Sequence, residues 1–140
     1  MTPNYREKAS FLKENFVPLL EQGLLHMIPV EQDVEWLLGI KIHFLYGHTE
    51  AMMCPLLTTE NGAQFLYCAD LLPSVHHIGM PYVMGYDVRP LETLKEKEWL
   101  LELAYEQQVK LLLEHDPLYE YCTIQKNEKG QMVLGEKGNL

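Results

Sequence analysis

Apolar residues spaced three and four apart predict a helix near the start of the chain. The stripe consists of Ala9, Leu12, Phe16, Leu19 and Leu20. It indicates a helix over Asn4–Gln22, which Gly23 follows at the position where a glycine commonly ends a helix. Pro18 lies inside this range, and the residue before a proline avoids the α conformation. We therefore expect a kink or a restart near Phe16–Val17.

Short apolar runs separated by turn residues predict a sheet. The predicted strands are Leu24–Ile28, Val34–Leu38, Ile40–Leu45, Met52–Thr59, Ala63–Ala69, Lys110–Glu114, Tyr119–Gln125 and Gln131–Leu134. Between two of these strands lies Glu60-Asn61-Gly62, and Asn-Gly is typical of a tight hairpin because both turn positions need positive φ angles. The last two strands flank a turn at Lys126–Gly130, and the residues after Leu134 are expected to fray.

A second helix is predicted from Pro90 to Gln108, since proline suits the first helical position. Its apolar positions are Leu91, Leu94, Leu101 and Ala104, and its acidic residues Glu92, Glu96 and Glu98 favour the N-terminal half. The order of elements is helix, strands, helix, strands. This order predicts one α/β (α+β) domain over residues 1–140, built on one mixed or antiparallel sheet.

Composition and charge exclude several classes of partner. The chain has 140 residues and a formal net charge of −9, without a clustered basic face, so neither nucleic acid nor an anionic membrane surface is expected. The longest stretch without charged residues, Leu71–Tyr86, is interrupted by prolines and glycines and predicts no membrane span. The charged N-terminus does not resemble a secretory signal. Three cysteines without a CxxC pair indicate reduced thiols and a cytoplasmic protein.

Candidate chemistry lies just beyond three predicted strands, where a rigid scaffold can hold a polar side chain. His48 follows one strand, Asp70 ends another, and His115 ends a run of leucines. Imidazole nitrogens and a carboxylate suit zinc, iron or manganese, and one carboxylate can bridge two ions. From the residues alone, a metal site and ordinary structural roles both remain open.

Several motifs in a consistent order resemble the second half of a metallo-β-lactamase-fold hydrolase, a metal-dependent, usually zinc-dependent, enzyme. They are Gly47-His48-Thr49, the Asn-Gly hairpin, Phe65–Pro73, Met80–Asp87, Pro90–Leu94 and Glu114–Pro117. The resemblance covers roughly Tyr5 to Tyr119. It implies one half of an αβ/βα sandwich, with helices on one face of the sheet.

The resemblance also implies roles for individual residues. His48 corresponds to a ligand of a first metal ion, Asp70 to the carboxylate that bridges both ions, and His115 to a ligand of the second ion. His77, Asp87 and Asp116 correspond to positions that line the substrate pocket or support the ligands. In the complete family enzyme, one or two zinc ions would activate water and polarise the carbonyl of an ester, lactone or thioester substrate.

The sequence departs from the family pattern in three places. The HxHxDH motif, which supplies further metal ligands in the first half of the family fold, does not occur in the 140 residues. Glu50-Ala51 stands where the family usually has Pro-Gly, and Cys68-Ala69 stands where a glycine usually precedes the aspartate. We therefore expect the chain alone to be inactive.

Two functions remain open at this stage: part of a metal-dependent hydrolase that acts on a small molecule, or a non-catalytic module for dimerisation or binding. In either case, a sheet that lacks its facing half would expose an apolar face. Its candidate residues are Ile40, Ile42, Phe44, Leu66 and Cys68. We expect this face to be covered in a homodimer or by a separate first half.

Overall fold

The computed structural model describes residues 3–31 and 34–140 and divides the chain into two compact units, with the boundary after Glu31. The first unit contains one helix, and the second contains the sheet, a long helix and the candidate chemistry. Within the described ranges, neither helix is long and apolar enough to cross a membrane. The expectation of a single domain stays a prediction.

The first unit contains α1, Lys13–Glu21, which is shorter than the predicted helix. Two backbone N–H groups, those of Arg6 and Glu7, bond to the Asn4 side chain and favour turns over a helix there. Pro18 lies within α1 without ending it, so the expected restart near Phe16–Val17 is wrong: the helix loses one N–H donor and continues. Gly23, with φ +69°, follows the helix end as predicted.

The predicted strand Leu24–Ile28 does not form, since these residues have no sheet partner within the described chain. Local apolar character was its only support, and a strand also needs a neighbour to receive its backbone hydrogen bonds.

The second unit is built on one seven-stranded sheet in which sequence order equals spatial order. Its strands are β1 (Val34–Leu37), β2 (Ile40–Leu45), β3 (Met52–Thr58), β4 (Gln64–Tyr67), β5 (Lys110–Leu112), β6 (Tyr121–Lys126) and β7 (Met132–Gly138). Neighbours are antiparallel except β4 and β5, which are parallel. A parallel pair needs a crossover, and α2 (Pro90–Glu106) supplies it. The predicted mixed sheet is therefore confirmed.

Helix α2 packs on the sheet through Leu101 and Ala104 of the predicted stripe and through neighbours that the stripe did not include. The core beneath it joins Leu100, Leu101 and Ala104 to sheet residues such as Leu56 and Leu66. Thr93 and Lys97 lie on the same buried face, at 1% and 0% exposure. By contrast, Leu91 belongs to the predicted apolar stripe but is 75% exposed. Spacing alone did not distinguish Leu91 from Leu101 and Ala104, which are buried.

Pairing with neighbours, which local pattern does not report, moves several strand ends. β4 ends at Tyr67 rather than Ala69, because a 3₁₀ turn over Ala69–Leu71 follows it. β5 ends at Leu112 rather than Glu114. The segment after Leu134 was expected to fray but continues β7 to Gly138, which pairs with Tyr121.

The predicted exposed sheet face is wrong for most of its residues. Directly paired residues of neighbouring strands share a face, and Leu66 pairs with Leu56 on the side of α2. Leu66 and Cys68 accordingly lie in the core at 0% exposure. Ile42 and Phe44, on the opposite face, are also buried. The apolar residues of that face that stay partly exposed include Ile40, Leu57, Phe65 and Leu112.

Candidate metal centre

Three strands deliver the candidate ligands to one edge of the sheet. β2 and β4 are each antiparallel to β3 and so point the same way, and β5 is parallel to β4. Their C-terminal ends therefore meet at one edge. His48 lies in the loop after β2, Asp70 in the 3₁₀ turn after β4, and His115 in the loop after β5.

The carboxylate of Asp70 lies between the two imidazoles. Its Oδ2 is 3.2 Å from Nε2 of His48, and its Oδ1 is 3.2 Å from Nε2 of His115. The side chains of His48 and Asp70 are 13% and 27% exposed, whereas that of His115 is 53% exposed. The structure thus brings these three predicted residues together, with one imidazole at each carboxylate oxygen and an open side at His115.

Asp87 supports His48 from behind. Its Oδ1 lies 2.9 Å from Nδ1 of His48, and the residue is 3% exposed. A bond at Nδ1 fixes the imidazole orientation and favours a free Nε2 lone pair, as a metal-bound histidine requires. The second oxygen of Asp87 is buried without a hydrogen-bond partner within the described chain. A carboxylate buried in this way is costly unless it stabilises a positive charge nearby.

Electrostatic interactions couple His48 to both Asp70 and Asp87. The hydrogen bond that His48 donates to Asp70 raises the pKa of His48, burial opposes this shift, and Asp87 adds to it. The same bond lowers the pKa of Asp70 despite partial burial, and His115 contributes in the same direction. The cluster therefore favours a negative Asp70 beside positive charge, which is also the electrostatic environment that a bound cation provides.

The donor set fits part of a metal centre. Each oxygen of Asp70 faces one histidine nitrogen, and these are the ligand atoms that zinc prefers. Within residues 3–31 and 34–140, no group of three or more His, Cys, Asp or Glu side chains could hold a metal ion. Both observations agree if His48, Asp70 and His115 would supply only part of the ligands of a metal centre.

The remaining predicted residues lie around this cluster. His77 binds Ser74 Oγ through Nδ1 at 2.9 Å, and its pKa is lowered by burial and by Lys97. Asp116 accepts backbone N–H groups of Val75, Leu118 and Tyr119 at 3.0 Å each. Asp116 thus joins the His115 loop to the loop after Asp70, where it supports loop geometry. No hydrogen bond or ion pair joins His77 or Asp116 to the Asp70 carboxylate in the described chain.

Two further residues of α2, which the sequence pattern did not single out, organise this edge. Lys97, at 0% exposure, donates to the carbonyls of His77, Gly79 and Tyr82 at 3.1, 2.9 and 2.5 Å. Glu96 accepts the N–H groups of Tyr46 and Gly47 at 2.6 and 2.9 Å. For Lys97 a signal existed, since it lies four residues before Leu101 on the apolar stripe of the helix. For Glu96 we find none.

Two of the three departures from the family pattern coincide with left-handed backbone. Ala51 has φ +56° and Ala69 has φ +44°, in the left-handed region that favours glycine. Ala51 is the last residue of the loop that carries His48, and Ala69 immediately precedes Asp70. Both alanines therefore adopt a backbone conformation that glycine accommodates more easily.

Comparisons with known proteins place the fold. A probable metal-dependent hydrolase from Staphylococcus aureus matches at TM-score 0.69 and 21% identity, over 84% of this chain and 40% of that chain. The hydrolase AbOPH of the beta lactamase superfamily matches at 0.73 and 15%, over 91% and 45%. The dizinc quorum-quenching lactonase AidC matches at 0.67 and 14%, over 98% and 48%.

These likenesses confirm a partial metallo-β-lactamase fold, and the chain spans less than half the length of each of these three proteins. No protein-family model and no curated protein matches the sequence.

Proposed function

From the metallo-β-lactamase fold that the chain shares, we propose that it supplies part of the zinc centre of a hydrolase. His48, Asp70 and His115 are the ligands in this proposal. The observation that supports it most is the Asp70 carboxylate, which has the Nε2 atom of a different histidine 3.2 Å from each oxygen. The matched proteins include a dizinc lactonase and a probable metal-dependent hydrolase, which supports the choice of metal and reaction class.

The proposed substrate is a small ester, lactone or thioester. Zinc in such a centre supplies a Lewis acid and an activated water molecule. This chain's own residues hold the centre: Asp87 orients the His48 ring, and Asp116 fixes the loop that carries His115. The half-exposed His115 leaves one side of the cluster open to a ligand or a substrate.

The remaining metal ligands must come from elsewhere, because a catalytic zinc ion usually has three protein ligands and each proposed ion has two here. We propose that a second copy of the chain or another polypeptide segment supplies them, and that the chain alone does not hydrolyse substrate. Light scattering of the chain with and without zinc tests whether a second copy of the chain supplies these ligands. A dimer that forms with zinc supports it, and a monomer under both conditions contradicts it.

A reducing, cytoplasmic setting belongs to the same proposal. All three cysteines are free and buried, which suits a compartment in which thiols stay reduced.

Zinc calorimetry tests the ligand assignment. The wild type is compared with the double variant Asp70→Ala, His115→Ala and with His76→Ala, which removes an exposed histidine of a nearby loop. We expect zinc binding to disappear in the double variant and to persist in His76→Ala. Equal binding by all three proteins would refute the assignment.

A further inference from the structure

The loop that carries His48 is held to helix α2 and to Arg89, the residue before it, through all four backbone polar groups of Tyr46 and Gly47. The N–H groups of Tyr46 and Gly47 both donate to the carboxylate of Glu96. The carbonyl of Tyr46 accepts from the Arg89 side chain at 2.8 Å, and that of Gly47 accepts from the Arg89 N–H at 2.8 Å. Arg89 and Glu96 therefore fix the backbone of Tyr46 and Gly47 in this loop.

The loop also lies unusually close to the helix. A Cβ atom on Gly47 would be 2.5 Å from the backbone nitrogen of Thr93, far below a normal contact distance. Only glycine allows this approach. Thr93 lies one helical turn before Glu96 and is 1% exposed, so the contact is a packed one. Packing and hydrogen bonds thus converge on the residue that directly precedes His48.

We propose that Glu96 is a positioning residue whose carboxylate fixes the Tyr46–Gly47 backbone and thereby aims the His48 imidazole between Asp70 and Asp87. The geometry supports a specific role for both carboxylate oxygens. Oε1 accepts from Tyr46 and Oε2 from Gly47, so each oxygen has its own N–H donor. A carboxylate strengthens such bonds because the acceptor is charged.

The alternative role for Glu96 is a general contribution to packing, since the residue is half-buried on a helix that covers the core. The two roles differ in what moves after substitution. A packing role lowers the stability of the fold and leaves the His48 ring where it is. A positioning role changes the His48 ring, even in a variant that folds normally.

Glu96→Gln is the informative change, because the amide keeps the size of the side chain and only one of its two end atoms can accept a hydrogen bond. Glu96→Asp keeps both oxygens and the charge but is one methylene shorter. Glu98→Gln is the matched control, since it changes an exposed carboxylate two residues further along the same helix.

The experiment compares the metal-free full chains by nuclear magnetic resonance. In Glu96→Gln we expect the amide proton of Tyr46 or Gly47 to shift upfield and the ring signals of His48 to move. Glu98→Gln should change neither, and Glu96→Asp should give a smaller shift. Unchanged His48 ring signals in a folded Glu96→Gln protein would overturn the proposal. If Glu96→Gln does not fold, Glu96→Asp decides by the same criterion.

Zinc affinity of the same samples links this inference to the proposed function, on which its consequence for metal binding rests. We expect Glu96→Gln to bind zinc about tenfold more weakly than Glu98→Gln, as is typical for residues that support a ligand. If the wild type binds no zinc, the proposed function fails, and the His48 ring signals still decide the role of Glu96. If zinc binds equally to both variants, the positioning proposal fails and the proposed function stands.

Discussion

The carboxylate of Asp87 lies 2.9 Å from Nδ1 of His48, although the two residues are 39 positions apart in the sequence. In the proposed centre this bond orients His48. Replacing Asp87 by Asn keeps the shape and removes the charge, so we expect zinc affinity to fall by about tenfold or more. Calorimetry measures it, with Glu60→Gln, at an exposed hairpin turn, as the control. Equal affinities in both variants would contradict this role of Asp87.

The second prediction concerns the contribution of Lys97 to the stability of the fold. Its ammonium group, at 0% exposure, holds three backbone carbonyls, and hydrogen bonds to charged groups each contribute more than neutral ones. We expect Lys97→Met to lower the free energy of unfolding by about 2–4 kcal/mol. Lys95→Met changes a side chain that is 73% exposed and should cost less than about 0.5 kcal/mol. Urea unfolding of both variants distinguishes these outcomes.

Because of the same lysine, we expect the stability of the fold to depend on pH. Burial lowers the pKa of Lys97 to about 8 from its ordinary value of 10.5. Between these values the unfolded chain holds a proton that the folded chain has released, so stability rises with pH in this window. Relative to Lys97→Met, we expect the wild type to gain at most about 3 kcal/mol between pH 8 and 10.5. A stability difference between the wild type and Lys97→Met that stays constant with pH would contradict the lowered pKa of Lys97.

The cysteines give a prediction on reactivity. Burial raises the pKa of Cys54 and Cys122 to about 12 and that of Cys68 well above its usual value. All three are 0% exposed, and only a thiolate is an effective nucleophile. We expect a thiol reagent at pH 8 to modify none of them in the folded protein and all three in denaturant. Rapid reaction of one thiol before unfolding would disprove this.

We expect the substitution Ala51→Gly to stabilise the fold. At φ +56° an alanine carries a steric penalty of about 1–2 kcal/mol, and glycine avoids it while losing about 0.5–1 kcal/mol of chain entropy. We expect Ala51→Gly to raise the free energy of unfolding by up to about 1 kcal/mol. Ala63→Gly, at an ordinary φ, should instead destabilise by about 0.5–1 kcal/mol. A loss of stability in Ala51→Gly would show that the strain is absorbed elsewhere.

Much of the fold could be predicted because alternation and turn residues are local signals. A hairpin around Asn61-Gly62 joins β3 and β4, and α2 begins at Pro90, as expected. The tight turn with two positive φ angles is wrong, however: only Gly62, at φ +83°, has one, and three residues separate the hydrogen-bonded Thr59 and Ala63. Other errors occurred where non-local pairing decides. β7 extends to Gly138 because β6 receives it, whereas Leu24–Ile28 has apolar residues and no sheet partner within the described chain. The assignment of sheet faces failed at Leu66 because its register with β3 was unknown.

The candidate site divides in the same way. His48, Asp70 and His115 could be picked out because each follows an apolar strand, and strand direction brings them to one edge. Their supports could not be derived from spacing. Glu96 acts on a backbone 50 residues away. A carboxylate on a helix usually faces solvent, so nothing local distinguished Glu96 from its exposed neighbour Glu98.

A zinc titration of the chain with isotope-labelled histidines, followed at the ring nitrogens, tests whether His48, Asp70 and His115 bind metal together. We expect Nε2 of His48 and Nε2 of His115 to shift together with zinc and the exposed His76 to stay unchanged. We also expect Asp70→Asn to abolish both shifts. Zinc shifts confined to His76, or shifts at His48 and His115 that survive Asp70→Asn, would contradict a centre built on the Asp70 carboxylate.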